Sequence, residues 1–311
     1  MKTFAKEEID DTLGVQIIVV GVGSGVCSVI DTISKKNIRG LNTLMIDTDA
    51  DMKPIIGRDA ALENYEDIKN SLKNADIVLI VTALGGGTGT GASPVVAKIA
   101  KELGALTISI ITKPFKFEGH KRIGHAEKGL VALQKESDSV MLIKHDKRLL
   151  DKDSQIRLSE AFEIMDSLFI QAINGIVGIV LTSGENDINL DFADLKTILN
   201  DSCMASMGLS NDEGKSIAHK VISEAMESLQ FDHTSTKNIM GVLVHFKVHP
   251  DYPMIDICDA MDIIYQNVHE DADVIFGTST DKSLDVEYLE ATVIVRNPER
   301  NRIGNNPRYN G

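Results

Sequence analysis

An apolar run, Asp76-Ile-Val-Leu-Ile-Val-Thr82, leads directly into Ala83-Leu-Gly-Gly-Gly-Thr-Gly-Thr-Gly-Ala-Ser-Pro94 and then into a helix-compatible segment. This junction constrains the fold more than any other feature. Five of the chain's 24 glycines fall between positions 85 and 91, namely Gly85, Gly86, Gly87, Gly89 and Gly91. Bare backbone at the end of a buried strand can approach an oxyanion without a Cβ in the way. The helix that follows turns its unpaired N–H groups and positive dipole end toward the same spot. Thr88 and Thr90 add hydroxyl donors between the glycines. Phosphate is the ligand that this chemistry suits. No Gly-Lys-Ser/Thr ending follows, so the stretch is not a P-loop. A merely flexible loop is the alternative, and the strand-loop-helix setting speaks against it.

The same order occurs upstream, where residues 16–20 form a short apolar run that ends at Gly21-Val-Gly-Ser-Gly25 and precedes a helical segment over 26–36. Taken alone, Gly21, Gly23 and Gly25 are weak evidence, because such a turn can serve close strand-helix packing. Further strands are expected at 43–47, 76–82, 106–111 and 139–144, with helices at 62–72, 93–103 and 121–134 between them. Val- and Ile-rich strands alternating with helices predict an α/β fold, a doubly wound parallel sheet whose ligands bind at the strands' carboxyl ends. A longer helical pattern over 157–180 carries Leu158, Phe162, Met165, Phe169, Ala172 and Ile176 at three- and four-residue spacing. Past Asn186 the rhythm changes: helices near 193–200 and 213–228 precede strand-like runs at 239–248, 273–277 and 286–295. A smaller α+β domain with a mixed or antiparallel sheet is expected there. The expected division is a nucleotide-binding domain over 1–156, a core connecting helix over 157–181, a C-terminal domain over 182–297 and a polar tail over 298–311.

Composition narrows the function classes. With 311 residues and 43% hydrophobic content the chain can bury a core in about two domains. Its formal net charge of −14 disfavours binding to nucleic acid, which draws on clustered Lys and Arg. No apolar run approaches the roughly 20 residues that span a bilayer, and the charged start MKTFAKEEIDD does not fit a secretory signal. A cytoplasmic location is expected, without direct membrane insertion. Cys27, Cys203 and Cys258 are too scattered for a disulfide framework or a zinc site and read as reduced packing residues.

Gly85 to Gly91 resembles the tubulin-type GTP-binding loop, and further blocks are similar to members of the tubulin/FtsZ family. These are KELGALTISIITKPFKFEGHKR (101–122), NLDFADLKTIL (189–199), IFGTSTD (275–281) and ATVIVRN (291–297). The resemblance covers nearly all of residues 16–297. It implies a GTP-binding cytoskeletal protein of cell division that assembles head to tail into filaments and hydrolyses GTP to GDP between subunits, with Mg²⁺ near the phosphates. It places Gly21, Gly23, Gly25 and the stretch from Gly85 to Gly91 at the phosphates, Glu118 and Arg122 at the ribose, and Phe162 and Asp166 at the guanine. A carboxylate at 166 can accept from both N1–H and the 2-amino group, which favours guanine over adenine. Asn189, Asp191 and Asp194 match the activating loop, set over the neighbouring subunit's nucleotide to position the attacking water. No protein metal ligands are implied. Simpler readings stand beside these: a salt bridge between Glu118 and Arg122, core packing by Phe162, and an acidic helix cap at 191–194.

The chain also departs from the family pattern. Gly23-Ser-Gly-Val-Cys-Ser28 replaces a glycine-rich run ending in Asn-Ala, so Val26 is expected to intrude on a phosphate-facing loop, with Cys27 and Ser28 beside it. Asp47 and His145 stand where the family has Asn, and after Asp49 the γ-phosphate loop is shortened. The end, RNRIGNNPRYNG, shows no membrane-tether-binding peptide. Two readings follow: a GTPase with reduced hydrolysis, or an interaction protein that assembles without GTP or co-assembles with and modulates a complete FtsZ. A dinucleotide oxidoreductase lacks the third fingerprint glycine and a substrate site.

Overall fold

The computed structural model describes residues 2–4, 14–48, 50, 52–143, 157–181, 187–199, 203–229 and 239–297. Two compact units divide the chain between Val177 and Gly178. In the first, strands β1 (Lys2–Phe4), β2 (Ile17–Val22), β3 (Leu41–Asp47), β4 (Ile77–Ala83), β5 (Leu106–Thr112) and β6 (Ser139–Ile143) lie in the order β1-β3-β2-β4-β5-β6. All neighbours are parallel except β1, which runs antiparallel to β3. Ile17, Val19, Ile77, Leu79, Ile108 and Ile110 are fully buried. β-branched side chains fit a pleated surface, and the near-continuous apolar runs reflect burial of both sheet faces.

The intervening helices are α1 (Cys27–Ser34), α2 (Pro54–Glu63), α3 (Tyr65–Ser71), α4 (Gly87–Glu102) and α5 (His120–Glu136). Two sequence expectations need correction here. The helix expected at 62–72 is the shorter α3, and α2 before it was not expected; the two are separated at Asn64, whose φ of −106° and ψ of 25° leave the helical region and whose side-chain amide donates to the Ala60 carbonyl at 2.8 Å. Pro54 sets the start of α2, since its fixed φ suits a first turn that needs no N–H donor. The helix expected from 93 begins at Gly87, so part of the glycine stretch is its first turn rather than a loop before it. Tertiary packing overrides the low helix propensity of glycine there.

Helix α6 (Leu158–Leu181) buries Met165, Phe169, Ala172, Ile173 and Ile176. Contrary to the expectation from the sequence, its span Ser159–Leu181 is long and apolar enough by length and composition to cross a membrane, with a mean hydropathy of 1.8. Glu160, Glu163, Asp166, Gln171 and Asn174 interrupt the span, and 44% of the 18-residue stretch with that hydropathy is buried.

In the second unit, α7 (Phe192–Leu199) precedes β7 (Cys203–Glu213), α8 (Ala218–Ser228), β8 (Gly241–Val248), α9 (Met254–Asn267), β9 (Asp273–Thr280) and β10 (Tyr288–Asn297). The strand order is β7-β10-β8-β9, antiparallel except for the parallel pair β8 and β9. Val221, Ile222, Val244, Phe246, Ile264 and Val293 form the centre of its core. Sequence reasoning missed β7, because Ser210-Asn-Asp-Glu213 reads as loop; pairing with β10 from Met204 to Glu213 holds it extended. It also missed α9, although Ile257, Ala260, Met261 and Ile264 lie at helical spacing and are all buried. Cys27 and Cys258 are exposed free thiols rather than packing residues.

One buried polar group makes the second unit sensitive to acid. His245 on β8 is 6% exposed, and desolvation pushes its pKa from the ordinary 6.5 down to about 4, against the opposing pull of the Asp187 charge. Between those values the unfolded chain binds a proton that the folded chain does not. This stability contribution is therefore complete above pH 6.5 and falls as pH drops toward 4, by at most about 3 kcal/mol. Denaturant unfolding followed from pH 7 to pH 4.5 should show this loss, and His245→Gln should flatten the dependence; equal slopes in both proteins would contradict it.

Candidate functional site

Strand order reverses between β2 and β4: β3 lies on one side of β2, while β5 and β6 continue beyond β4. Chains leaving adjacent strand ends at such a reversal turn away from each other and leave a crevice. Both glycine turns open there. Gly23, with φ of 90°, passes so close to Gly89 that a Cβ on it would lie 3.1 Å from the Gly89 nitrogen. Thr82 ties the two strands, its hydroxyl donating to the Val22 carbonyl at 2.9 Å. The Thr48 and Thr88 hydroxyls lie 2.7 Å apart, which joins the end of β3 to the start of α4.

The crevice has a volume of about 730 Å³, the size of a small-molecule site. Gly23, Gly25, Gly86, Gly87, Thr88 and Gly89 line one side, and Glu118, Arg122, Phe162 and Asp166 also line it. The remaining candidates lie in the frame behind. Gly21 packs against Ile30 and Met45, and the Gly85 N–H donates to the buried Thr90 hydroxyl at 2.8 Å. Gly91 faces the Pro54 carbonyl of α2 with no space for a Cβ, and a Cβ on Gly57 of α2 would lie 2.5 Å from the Gly87 carbonyl oxygen. Helices α2 and α4 thus meet backbone to backbone.

The departures fall in different places. Val26 is fully buried and does not line the crevice, so its branched side chain belongs to the core and not to the phosphate-facing surface. Cys27 is exposed; partial burial, then the Asp47 and Asp31 charges, push its thiol pKa up. The Ser28 hydroxyl donates to the Asp166 carboxylate. Asp47 lines the crevice, with its Oδ1 accepting from the Thr48 N–H at 2.9 Å. His145 and Asp49 lie outside the described residues.

Electrostatically the crevice relies on backbone. Arg122 is paired with Glu118, and Lys113 lies 3.4 Å from Glu127, so the cations lining it are already engaged. An anion would instead meet the N–H groups and dipole at the start of α4. Among the described residues no group of three His, Cys, Asp or Glu side chains is placed to hold a metal.

Phe162 is 48% exposed rather than packed in the core, and its ring meets Phe115 edge-on at 6.3 Å. Sequence reasoning missed Phe115, whose N–H donates to Glu118 Oε1 at 2.8 Å. The Lys113-Pro114-Phe115 segment leaving the carboxyl end of β5 was the available signal.

In the second unit, Asp191 and Asp194 cap α7 reciprocally. The Asp191 N–H donates to Asp194 Oδ2 and the Asp194 N–H donates to Asp191 Oδ1, each at 2.9 Å. This is the capping-box geometry, with aspartate in both roles. Asn189 and Asp191 are exposed.

Family models match two stretches: the GTPase domain of the Tubulin/FtsZ family over residues 42–151, and the C-terminal domain of the FtsZ family over 203–297. The cell division protein FtsZ of Helicobacter pylori is 37% identical, with 96% of this chain and 84% of that protein covered. FtsZ of Neisseria meningitidis serogroup A is 33% identical over 89% of this chain and 77% of its own length. Among solved structures, an empty FtsZ dimer of M. jannaschii superposes with a TM-score of 0.83 at 28% identity, covering 93% of this chain and 90% of the other. A GTPγS-bound protofilament of CetZ2 from Haloferax volcanii shares the fold, at TM-score 0.72 and 16% identity, over 92% and 94% of the two chains.

The backbone contact between α2 and α4 yields a stability prediction. Gly91→Ala should lower the unfolding free energy by about 1–3 kcal/mol, because α2 must shift to clear the new methyl. Gly124→Ala on α5, where no neighbour lies within 4 Å and the backbone is helical, serves as the control. Denaturant midpoints separate the two, and a Gly91→Ala midpoint equal to wild type would refute the contact.

Proposed function

Since the chain belongs to the tubulin/FtsZ family of GTPase cytoskeletal proteins, we propose that it binds GTP and GDP in the crevice between β2 and β4 and assembles head to tail into filaments. Residues 1–156 serve as the GTP-binding domain, 157–181 as the core helix, and 182–297 carry the activating loop. The observation that carries this reading is the meeting of two glycine turns with the start of α4 at the point where strand order reverses. A cytoplasmic filament of cell division is the setting that fits.

Each residue then has a chemical task. Backbone N–H groups from Gly86 to Gly89 hold phosphate oxygens, and Thr88 offers its hydroxyl. The exposed Phe162 ring packs on the base, Asp166 accepts from N1–H and the 2-amino group of guanine, and Glu118 and Arg122 serve the ribose. Asn189, Asp191 and Asp194 of one copy stand over the nucleotide of the next, where the carboxylates orient and polarise the attacking water. The capping bonds occupy one oxygen of each carboxylate, which leaves the other for water. Were Mg²⁺ to accompany the nucleotide, Asp47 is the carboxylate lining the crevice that could face it, and the ion would supply charge compensation for the phosphates.

A second reading has its own support in the acidic Asp47, the engaged cations and the Ser28 hydroxyl on Asp166. Under it the chain binds nucleotide weakly and assembles without GTP, or joins and modulates a complete FtsZ. Asp47 brings negative charge to negative phosphates, so triphosphate binding should depend strongly on divalent cation.

Titration with fluorescent GTP, with ATP as competitor, decides between the two. Guanine-selective binding is expected, weakened about 10- to 100-fold by Asp166→Ala through loss of two charge-assisted hydrogen bonds. Asp47→Asn should tighten binding and reduce its Mg²⁺ requirement. Absence of binding by the wild-type chain would favour the interaction protein.

Light scattering should show reduced GTP-triggered assembly of the isolated chain. Asp191→Ala with Asp194→Ala should change GTP turnover in mixtures with a complete FtsZ while leaving this chain's own nucleotide affinity unaltered. Prompt assembly on GTP followed by disassembly would contradict the first expectation, and unchanged turnover at every mixing ratio the second.

A further inference from the structure

The segment that carries Asn189, Asp191 and Asp194 is attached to β9. Thr278 holds Ile188 twice: its N–H donates to the Ile188 carbonyl at 2.9 Å, and its Oγ1 accepts from the Ile188 N–H at 2.9 Å. Thr278 is itself 8% exposed, so the hydroxyl is a fixed acceptor and not a freely rotating surface group. Its neighbour Gly277 forms the seat of the loop. A Cβ there would collide with the Leu190 side chain and lie 2.6 Å from the Ile188 carbonyl oxygen. Leu190 is 6% exposed, so the residue next to Asn189 is anchored while Asn189 points to solvent.

In the neighbouring strand the seat borders a buried polar group. Gly277 registers opposite His245 on β8, and the Asp187 charge acts on that buried imidazole. Asp187 Oδ1 is buried without a hydrogen-bond partner. The loop therefore begins beside buried polar groups and ends on the reciprocal cap of α7. Helix α7 has only eight residues, and Leu195, Ile198 and Leu199 hold its later turns by burial, so the placing of its exposed start at Asp191 depends on the segment that enters it.

We infer that Thr278, seated beside Gly277, is the positioning residue that sets where Asn189, Asp191 and Asp194 stand for a neighbouring subunit's nucleotide. This rests on the proposed role of those three residues. The hydroxyl is the decisive group: valine keeps the shape and the N–H but removes the acceptor, leaving the Ile188 N–H unpaired. Thr278 touches no reacting atom; it acts through the loop.

Full-length wild type, Thr278→Val, Thr278→Ser and Gly277→Ala are compared by hydrogen-deuterium exchange across residues 187–194, together with GTP turnover. Exchange there should be at least about tenfold faster in Thr278→Val and Gly277→Ala, normal in Thr278→Ser, and unchanged on β7 and β10 in all four. Turnover should fall about tenfold in kcat with KM for GTP within twofold, and Thr278→Ser should restore it. Unchanged exchange in Thr278→Val overturns the inference. So does unchanged turnover in Thr278→Val when Asp191→Ala abolishes it. If Asp191→Ala leaves turnover intact, or the wild type turns over no GTP, the catalytic reading of the loop fails and exchange alone decides whether Thr278 positions it. A Thr278→Val protein that does not fold leaves Gly277→Ala to decide by the same criteria.

Discussion

Backbone packed directly on backbone is the constraint on which the first unit depends. At the carboxyl ends of β2 and β4, Gly23 passes over Gly89, Gly57 faces the Gly87 carbonyl, and Gly91 faces the Pro54 carbonyl. Side chains at these positions would separate α2 from α4 or one turn from the other. Glycine costs about 0.5–1 kcal/mol relative to alanine within a helix, and α4 carries three of them, at 87, 89 and 91. The sheet beneath supplies the compensation, because its strands are buried on both faces and hold the turns at fixed separation. What the arrangement yields is a crevice wall made of peptide groups.

A peptide wall also explains how an acidic chain can be equipped for an anion. The formal net charge is −14, and the cations that line the crevice are paired with carboxylates. Under the proposed function, attraction for phosphate would come from oriented N–H dipoles at the start of α4, which carry no formal charge and are not cancelled by nearby acids as a lysine would be. Asp47 lines the same crevice with a carboxylate. Under the proposed function it would work against those dipoles and make cation availability part of the binding equilibrium, which asparagine at this position would not impose.

Much of this was legible in the sequence, because both the parallel sheet and the glycine turns leave local signals. Periodicity located β2, β4 and β5, and the glycines located the crevice. Propensity failed where long-range contacts decided the outcome: Gly87 to Gly91 became helix through packing on α2, and polar Ser210 to Glu213 became strand through pairing with β10. Val26 misled for a related reason. Its place in the turn suggested an intruding side chain, but the turn's 3-10 geometry directs it into the core. Phe115 left only a weak trace, since its relation to Phe162 depends on contacts between segments far apart in the chain.

The second unit solves a different problem from the first. A crevice can be held rigid by packing glycine backbone, but the carboxylates at 191 and 194 sit at the exposed start of a short helix, where little apolar surface holds them. Reciprocal capping fixes the two relative to each other and says nothing of where the pair stands. That second task falls to Ile188 and Leu190, the first bonded twice to Thr278 and the second pressed onto Gly277. Capping orders the acids within α7, the buried Leu195, Ile198 and Leu199 hold α7 in the unit, and β9 orders the segment that leads into it. Under the proposed function both levels are needed, because a water held for attack on another subunit's phosphate tolerates little misplacement.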